Sequence, residues 1–497
     1  MANEMKTLAK ETAIYGLSSI LGKFLNWCLV PLYTYVLTSS ADYGVVANLY
    51  AWTALLLVIL TYGMETGLFR FLNKEGRDNS AVYPTTVICL FVSSMTFVAL
   101  CSGSLNGIST MLGYPDHQEY VMMLAVVVAM DAFDSIPFAY LRYKKRPIKF
   151  AALKLFMILV NIVMNIFFLI ICPKIYASSP ELIDWFYNPN YGVGYVFVAN
   201  LISTTAVTLA LIPVALEEKL KFDLSLLEDM LKYSFPLLAL GVVGIMNQTI
   251  DKILYPFLLE DTAEATAQLG IYGACFKVAM VMMMFTQAFR YAYEPFVFAK
   301  NKDKDSKNVY ADSMKYYVIS SLLICLGMIF YLDFLKVLIH ESYWSGLIII
   351  PVVLLSYLFQ GIYFNLSLWY KLVDKTYFGA IMSSIGFVIN VVLLIVLVPL
   401  MGFMGAALAS LAAYTVMMII SYFLGNKYFP INYPILDMAK YFGIALVLVG
   451  ISYLVETPWG WLNHIIRTIL LGVYLFYMVK TDFPLANLPI IGKYFKK

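Results

Sequence analysis

Fourteen long apolar stretches, joined by short connections, leave this chain few folds to choose from. They lie near residues 11–37, 43–69, 80–101, 118–141, 148–172, 192–215, 231–257, 268–298, 314–335, 346–370, 377–399, 402–424, 438–455 and 462–480. A helix of about 20 apolar residues crosses the hydrocarbon core of a bilayer, where every backbone polar group must be satisfied internally. Transmembrane strands alternate over segments of about 10 residues, and these runs do not alternate. Charged residues make up 13% of the 497, against roughly 25% in soluble domains. The expected fold class is an all-α polytopic membrane protein with about 14 transmembrane helices. No connection is long enough for an inserted soluble domain, and no nucleic acid is expected as a partner. The N-terminus shows no small-residue cleavage site after a short apolar core, so no cleaved signal peptide is expected.

Lysine and arginine placement sets the expected orientation, because loops on the cytoplasmic side carry the excess of both. If the two termini and alternate connections share one side, that side holds 25 of the 34 lysines and arginines. The opposite side holds Lys174, Lys336 and Arg467. Both termini are therefore expected in the cytoplasm. Trp185, Trp344, Trp459 and Trp461 fall near the other ends of the spans, where an interfacial aromatic belt belongs.

The chain repeats itself. Ala41-Asp42-Tyr43-Gly44 after the first span corresponds to Ala267-Gln268-Leu269-Gly270 after the seventh. Lys149-Phe150-Ala151-Ala152 corresponds to Tyr377-Phe378-Gly379-Ala380, each leading into an Asn-bearing span that ends in proline. Gly192 and Gly194 then match Gly402 and Gly405. Six spans map onto six in the same orientation, with two left over. Parallel repeats of this kind are a transporter architecture with the substrate site between repeats. The expected organisation is an N-terminal lobe over 1–215, a cytoplasmic linker over 216–230, a C-terminal lobe over 231–424, and two extra helices with a cytoplasmic tail over 425–497.

Particular motifs resemble a known family. Asp251-Lys252-Ile253-Leu254 followed by Gly270-Ile271-Tyr272-Gly273-Ala274-Cys275-Phe276-Lys277 is similar to a "D-R/K-x-L … G-x-Y-x-x-A-x-K" stretch of polysaccharide flippases. Asp42-Tyr43-Gly44 and Gly63-Met64-Glu65-Thr66-Gly67-Leu68-Phe69-Arg70-Phe71 resemble the first two helices of that family. Gly361-Ile362-Tyr363-Phe364-Asn365 and Trp369-Tyr370-Lys371 resemble its tenth. The family is the polysaccharide transporter (Wzx-type) branch of the multidrug/oligosaccharidyl-lipid/polysaccharide exporter superfamily. Cys275 departs from the small alanine or serine usual there. The resemblance implies two pseudo-symmetric six-helix lobes in a V, as in the MATE exporters, working by alternating access. It also implies movement of an undecaprenyl-diphosphate-linked oligosaccharide, an O-antigen, capsule or exopolysaccharide unit, from the inner to the outer leaflet of the bacterial cytoplasmic membrane. Membrane lipids are implied partners, with a glycan polymerase and glycosyltransferases as candidates.

Five cations sit inside spans: Lys23, Lys154, Lys252, Lys277 and Arg290. A charge at mid-membrane costs ~2.5–3.5 kcal/mol on insertion scales and must be paired, hydrated or used. Lys23 shares a helical stripe with Ser19 and Asn26, as Asp251 does with Gln248, and Lys277 with Gln287, Tyr291 and Glu294. Polar stripes of this kind line a cavity or pack against protein. Depth along the helix, at 1.5 Å per residue, puts Lys23 and Lys277 near the midplane. They are the candidate cations for the substrate diphosphate. The competing assignment pairs them with Asp131 and Asp251 as structural bridges. Lys154 is expected to pair with Asp134, Lys252 with Asp251, and Arg290 with Glu294. Asp131 and Asp134, three apart on one helix face, admit two readings, a proton or sodium coupling site or ion pairing.

No catalytic constellation accompanies these charges. The longest outer connection, 173–191, holds Glu181 and Asp184 but no histidine, which argues against a membrane-embedded glycan polymerase or ligase. The three histidines lack metal-ligand spacing, no cofactor is expected, and all six cysteines are expected to pack in the core. A drug/cation antiporter of the same superfamily would usually stop at twelve spans. A lipid II flippase remains an alternative that the sequence does not separate.

Overall fold

The computed structural model describes residues 16, 18–37, 39–74, 79–300, 306–373, 375 and 377–483, with side chains at 292, 294–300, 306 and 371 left aside. Among the described residues the structure is helical throughout, with no strand. Thirteen helices are long and apolar enough to cross a membrane. They match the second to fourteenth expected spans. The first expected span lies partly outside the described residues. Its described part is helical over 18–27, breaks at Cys28, and resumes as α1, Leu29–Val36. Cys28 is exposed at that break, so it does not pack in the core as expected; Cys101, Cys172, Cys275 and Cys325 are buried.

The chain continues as α2, Ser40–Thr61; α3, Met64–Leu72; α4, Val82–Gly103; α5, Gln118–Tyr143; and α6, Pro147–Ile166. Next come α7, Gly194–Ala215; α8, Leu224–Leu254; α9, Thr262–Lys300; α10, Ser306–Phe330; and α11, Ile350–Leu366. The last four are α12, Tyr377–Met401; α13, Phe403–Tyr428; α14, Ile435–Leu454; and α15, Gly460–Thr481. Hydroxyls within the spans bond back to their own helices. Thr53 donates to Leu49 O, Thr86 to Val82 O and Thr205 to Leu201 O, each within 2.8 Å. This is how a threonine is tolerated where no water can serve it.

One break was not foreseen. The second span splits into α2 and α3 because Tyr62 (φ 33°) and Gly63 (φ 73°) are both left-handed. A tyrosine rarely takes that conformation. Its hydroxyl lies 3.0 Å from Cys89 Sγ, which ties the turn to α4.

Contacts divide the chain into two compact units. The first holds residues 1–274 and 394–399, the second 275–393 and 400–497. The six-plus-six lobe division read from the repeat remains a proposal. The core of the first unit gathers Met64, Leu68, Tyr83, Tyr140, Leu211 and Met230. Tyr83 stacks on Tyr140 at 3.7 Å between ring centroids and donates to Val214 O at 2.8 Å.

Within this unit α2 crosses the start of α9 so closely that only glycine fits. A Cβ on Gly44 would land on the carbonyl of Thr266, and one on Gly270 on the carbonyl of Ser40. A Cβ on Gly273 would lie 3.2 Å from that of Ala47. Ser40, Gly44 and Ala47 precede Thr266, Gly270 and Gly273 by the same offset, the one that relates the first repeat to the second. The crossing is therefore reciprocal, each helix offering the other a similar small-residue patch, as in an isologous interface.

In the second unit an aromatic core joins Tyr363, Trp369, Tyr370, Phe378 and Tyr414. Gln360 donates to Tyr414 Oη at 2.7 Å, and the Tyr370 and Ser421 hydroxyls meet at 2.6 Å. The two extra helices are clasped to α10. Lys315 Nζ lies 2.5 Å from Asp482 and 3.5 Å from Asp437, while Tyr441 Oη donates to Asp482 at 2.5 Å. Further along, Tyr474 Oη donates to Ile319 O at 3.0 Å, and Arg467 pairs with Asp333 at 2.7 Å.

Two outcomes are expected. Gly44→Ala and Gly270→Ala each force backbone apart at the crossing and destabilise the protein by ~1–3 kcal/mol, seen as a fall in melting temperature in detergent; an unchanged melting curve would contradict the packing. Lys315→Met leaves Asp482 with Tyr441 but without its cation and costs ~1–3 kcal/mol. Adding Asp482→Leu restores much of that loss if the two groups act as a pair.

Candidate functional site

The Asp251-Lys252 and Gly270-Ile271-Tyr272 motifs meet in one buried network in the first unit. Asp251 is buried near the end of α8. Its carboxylate accepts from the backbone N–H of Lys252 at 2.9 Å, from Lys252 Nζ at 2.8 Å and from Tyr272 Oη at 2.6 Å. Asn48 of α2 donates to Lys252 O at 2.7 Å, and Tyr114 Oη donates to Asn48 Oδ1 at 3.1 Å. The Asp-Lys pair, the Gly-x-Tyr element and the Tyr43-Gly44 step in the first turns of α2 are thus parts of one joint. A charge-assisted pair closed by a tyrosine hydroxyl suits a rigid position in low dielectric. Gln248, one turn earlier, is exposed and its amide reaches Gly244 O at 3.4 Å on its own helix.

A second polar cluster lies among α5, α6 and α7. Asp134 is 2% exposed; Thr208 Oγ1 donates to its Oδ2 at 2.8 Å, and its Oδ1 has no hydrogen-bond partner. Asp131, one turn earlier, is half-buried. The expected Asp134–Lys154 contact pair is not formed. Lys154 instead places its ammonium 4.1 Å from the Phe138 ring centre, near enough to both carboxylates to interact electrostatically without touching them. The ring draws the cation because the π face is negative. Thr208 had no signal in the sequence, being one hydroxyl among several in an apolar span. Nearby, Asn200 Nδ2 lies 3.3 Å from Tyr50 Oη.

The helical stretch 18–27 carries Ser19, Lys23 and Asn26. Ser19 and Lys23 are half-buried and Asn26 is exposed. Both Ser19 and Lys23 interact with neighbouring groups. Gly22 rests against Ile158 of α6, where a Cβ would come within 2.8 Å of the Ile158 Cδ1. In the second unit Lys277, Gln287 and Arg290 of α9 are half-buried, and each also has interacting neighbours. Arg290 lies 4.4 Å above the Phe364 ring. Its expected partner Glu294 falls outside the described side chains. Cys275 is buried and directs its thiol to Tyr343 O at 3.6 Å, so the departure from the family pattern is a packing choice.

Outside the spans the charges are mostly matched. Arg146 holds Glu217 through two hydrogen bonds of 2.7 and 2.8 Å, Arg142 pairs with Glu65, and Glu218 meets Tyr140 Oη and Lys144 Nζ. The Tyr140 hydroxyl and then the Lys144 ammonium hold the Glu218 carboxyl below its ordinary value.

This arrangement matches known proteins. The solved structure of the lipid II flippase MurJ, in an inward closed conformation, superposes with a TM-score of 0.73 at 16% identity, covering 94% of this chain and 98% of that one. An inward-facing multidrug-resistance MATE transporter of the MOP superfamily gives a TM-score of 0.64 at 12% identity, over 84% of this chain and 94% of that one. Its outward-facing counterpart gives 0.57 at 12% identity, over 84% and 95%. At these identities the likeness concerns the fold. No curated protein matches in sequence. The family model described as "Polysaccharide biosynthesis protein" matches residues 8–295. The chain is a multi-pass membrane protein with a MurJ- and MATE-like helical fold, as its motifs implied. With more than half its length matched, it belongs to the polysaccharide biosynthesis protein family.

Proposed function

We propose that this protein is a flippase that carries an undecaprenyl-diphosphate-linked oligosaccharide across the bacterial cytoplasmic membrane by alternating access, with both termini in the cytoplasm. The observation that carries the reading is family membership over residues 8–295 on an exporter fold. A flippase for a glycan on a lipid diphosphate needs cations that attract the phosphates and then let go, which hydrated lysine ammonium groups do better than a bidentate arginine fork. Lys23 and Lys277, half-buried in their helices, are assigned that role. Asp251 and Lys252 are not, because they satisfy one another. A lipid II flippase is the second reading, favoured by the 94% coverage of this chain by MurJ. The MATE structures cover 84%, which gives less support to a drug/cation antiporter, and the clasp of α14 and α15 onto α10 ties the extra helices firmly into this chain. Polymerase and glycosyltransferases remain proposed partners in the same process.

Asp134 is the proposed coupling group, with Asp131 beside it. Its one unpartnered oxygen suits a proton, which needs a single acceptor, better than a sodium ion, which takes several oxygens. A carboxylate so buried must be paired or take a proton.

Proteoliposomes loaded with a fluorescent undecaprenyl-diphosphate oligosaccharide should show its transfer between leaflets, with lipid II compared in parallel. Faster transfer of lipid II would favour the second reading. Lys23→Ala and Lys277→Ala should each lower the transfer rate by about tenfold or more, the effect of ~1.4 kcal/mol lost at one contact, while leaving the melting temperature near that of the parent. Full transfer by either folded variant would remove that lysine from the site. A pH gradient should accelerate the parent but not Asp134→Asn; indifference of the parent to both proton and sodium gradients would end the coupling proposal.

A further inference from the structure

The segment between α7 and α8 turns its large apolar side chains outward. Leu216, Leu220, Phe222 and Leu224 are 58%, 65%, 51% and 62% exposed. Several charged residues between them are tied to the protein by polar contacts at its surface. Glu217 is held by Arg146 and Glu218 by Lys144 and Tyr140. Asp223 receives hydrogen bonds at its N-cap position from Leu226 N and Ser225 Oγ, and its own N–H donates to Thr85 Oγ1 at 3.1 Å. Thr85 also donates to Lys221 O at 3.3 Å, and Lys221 Nζ reaches Ser80 Oγ at 3.3 Å. A loop facing water would turn part of such an apolar run inward. Here polar contacts from α4, α5 and the turn after α5 pin the backbone with all four apolar side chains outward.

We infer that residues 216–224 form an interfacial anchor whose apolar face is buried in the lipid leaflet on the basic side of the membrane. Three observations select lipid as the occupant. The segment leaves α7 at Ala215 and enters α8 at Leu224, both ends of membrane-crossing helices, so it runs at the height of the bilayer surface. Ile148, on the neighbouring turn, adds to the exposed apolar surface. Lys145, Lys149 and Lys219 are exposed around it, as flexible cations that reach headgroup phosphates while their stems lie along apolar surface. Apolar side chains set in a ring of lysines are the pattern of a segment lying in the interface. The anchor would hold the connection between the two repeats at a fixed depth.

Spin labels placed singly as Leu220→Cys, Phe222→Cys and Lys219→Cys in the full chain, with the exposed Cys28 changed to serine, test this in nanodiscs containing phosphatidylglycerol. Labelling of the parent without an introduced cysteine supplies the background. At 220 and 222 collisions with oxygen should exceed those with a water-soluble nickel chelate several-fold, and at 219 the order should reverse. Equal nickel access at all three positions would place the segment in water and overturn the inference. Protection from both reagents at 220 and 222 would place it against protein, such as a second copy or a glycosyltransferase, and would overturn it too. Because Leu220 and Phe222 point away from the chain, their labelled variants should melt within a few degrees of the parent; a large shared fall would show that they pack on protein, against the inference.

Discussion

The contact on which the first unit depends is the crossing of α2 with the start of α9. There Gly44 and Gly270 admit the backbone carbonyls of Thr266 and Ser40 where any side chain would collide. Without a hydrophobic force between helices in lipid, close approach of backbones is a main source of helix association. The approach brings Asn48 of α2 within 2.7 Å of the Lys252 carbonyl and so joins the crossing to the Asp251–Lys252–Tyr272 network. The Asp251-Lys252, Gly270-Ile271-Tyr272 and Tyr43-Gly44 motifs, which resemble those of polysaccharide flippases, are therefore parts of one structural joint.

The chain handles charge in low dielectric in several ways. Asp251 and Lys252 neutralise each other at adjacent positions. Lys154 and Arg290 rest on aromatic rings. Lys315 gathers Asp437 and Asp482 and uses them to bind the last two helices to α10. Each solution places a charge against protein, where the alternative is bare hydrocarbon. Outside the spans, Glu217 and Glu218 pair with basic partners at the surface while Leu216 and Leu220 face out. Polar groups seek polar partners in both regions.

Much of the fold was legible in the sequence. Helices of about 20 apolar residues are dictated locally, because lipid allows no other way to satisfy the backbone, and thirteen of the expected spans have matching helices. The small residues Gly44 and Gly270, which the sequence places at a constant offset, are required because backbone of the facing helix lies where a Cβ would go. The Lys252–Asp251 partnership was legible because the two are adjacent. The break at Tyr62–Gly63 was not, since it depends on the Tyr62 hydroxyl reaching Cys89 in another helix.

By itself the sequence determined the fold class, the order of thirteen spans and the motifs that mark the family, all of which follow from short-range hydropathy and spacing. The tertiary structure decided which charges meet. Asp134 was expected to face Lys154 on grounds of depth alone, but depth says nothing of azimuth, and packing turned Lys154 onto Phe138 and Thr208 toward Asp134. The clasp by Lys315 joins residues more than a hundred positions apart, and the outward apolar run of the linker is recognisable only once the exposure of its leucines is seen. Pairing among distant side chains is a property of helix rotation and crossing, which no local pattern in the chain encodes.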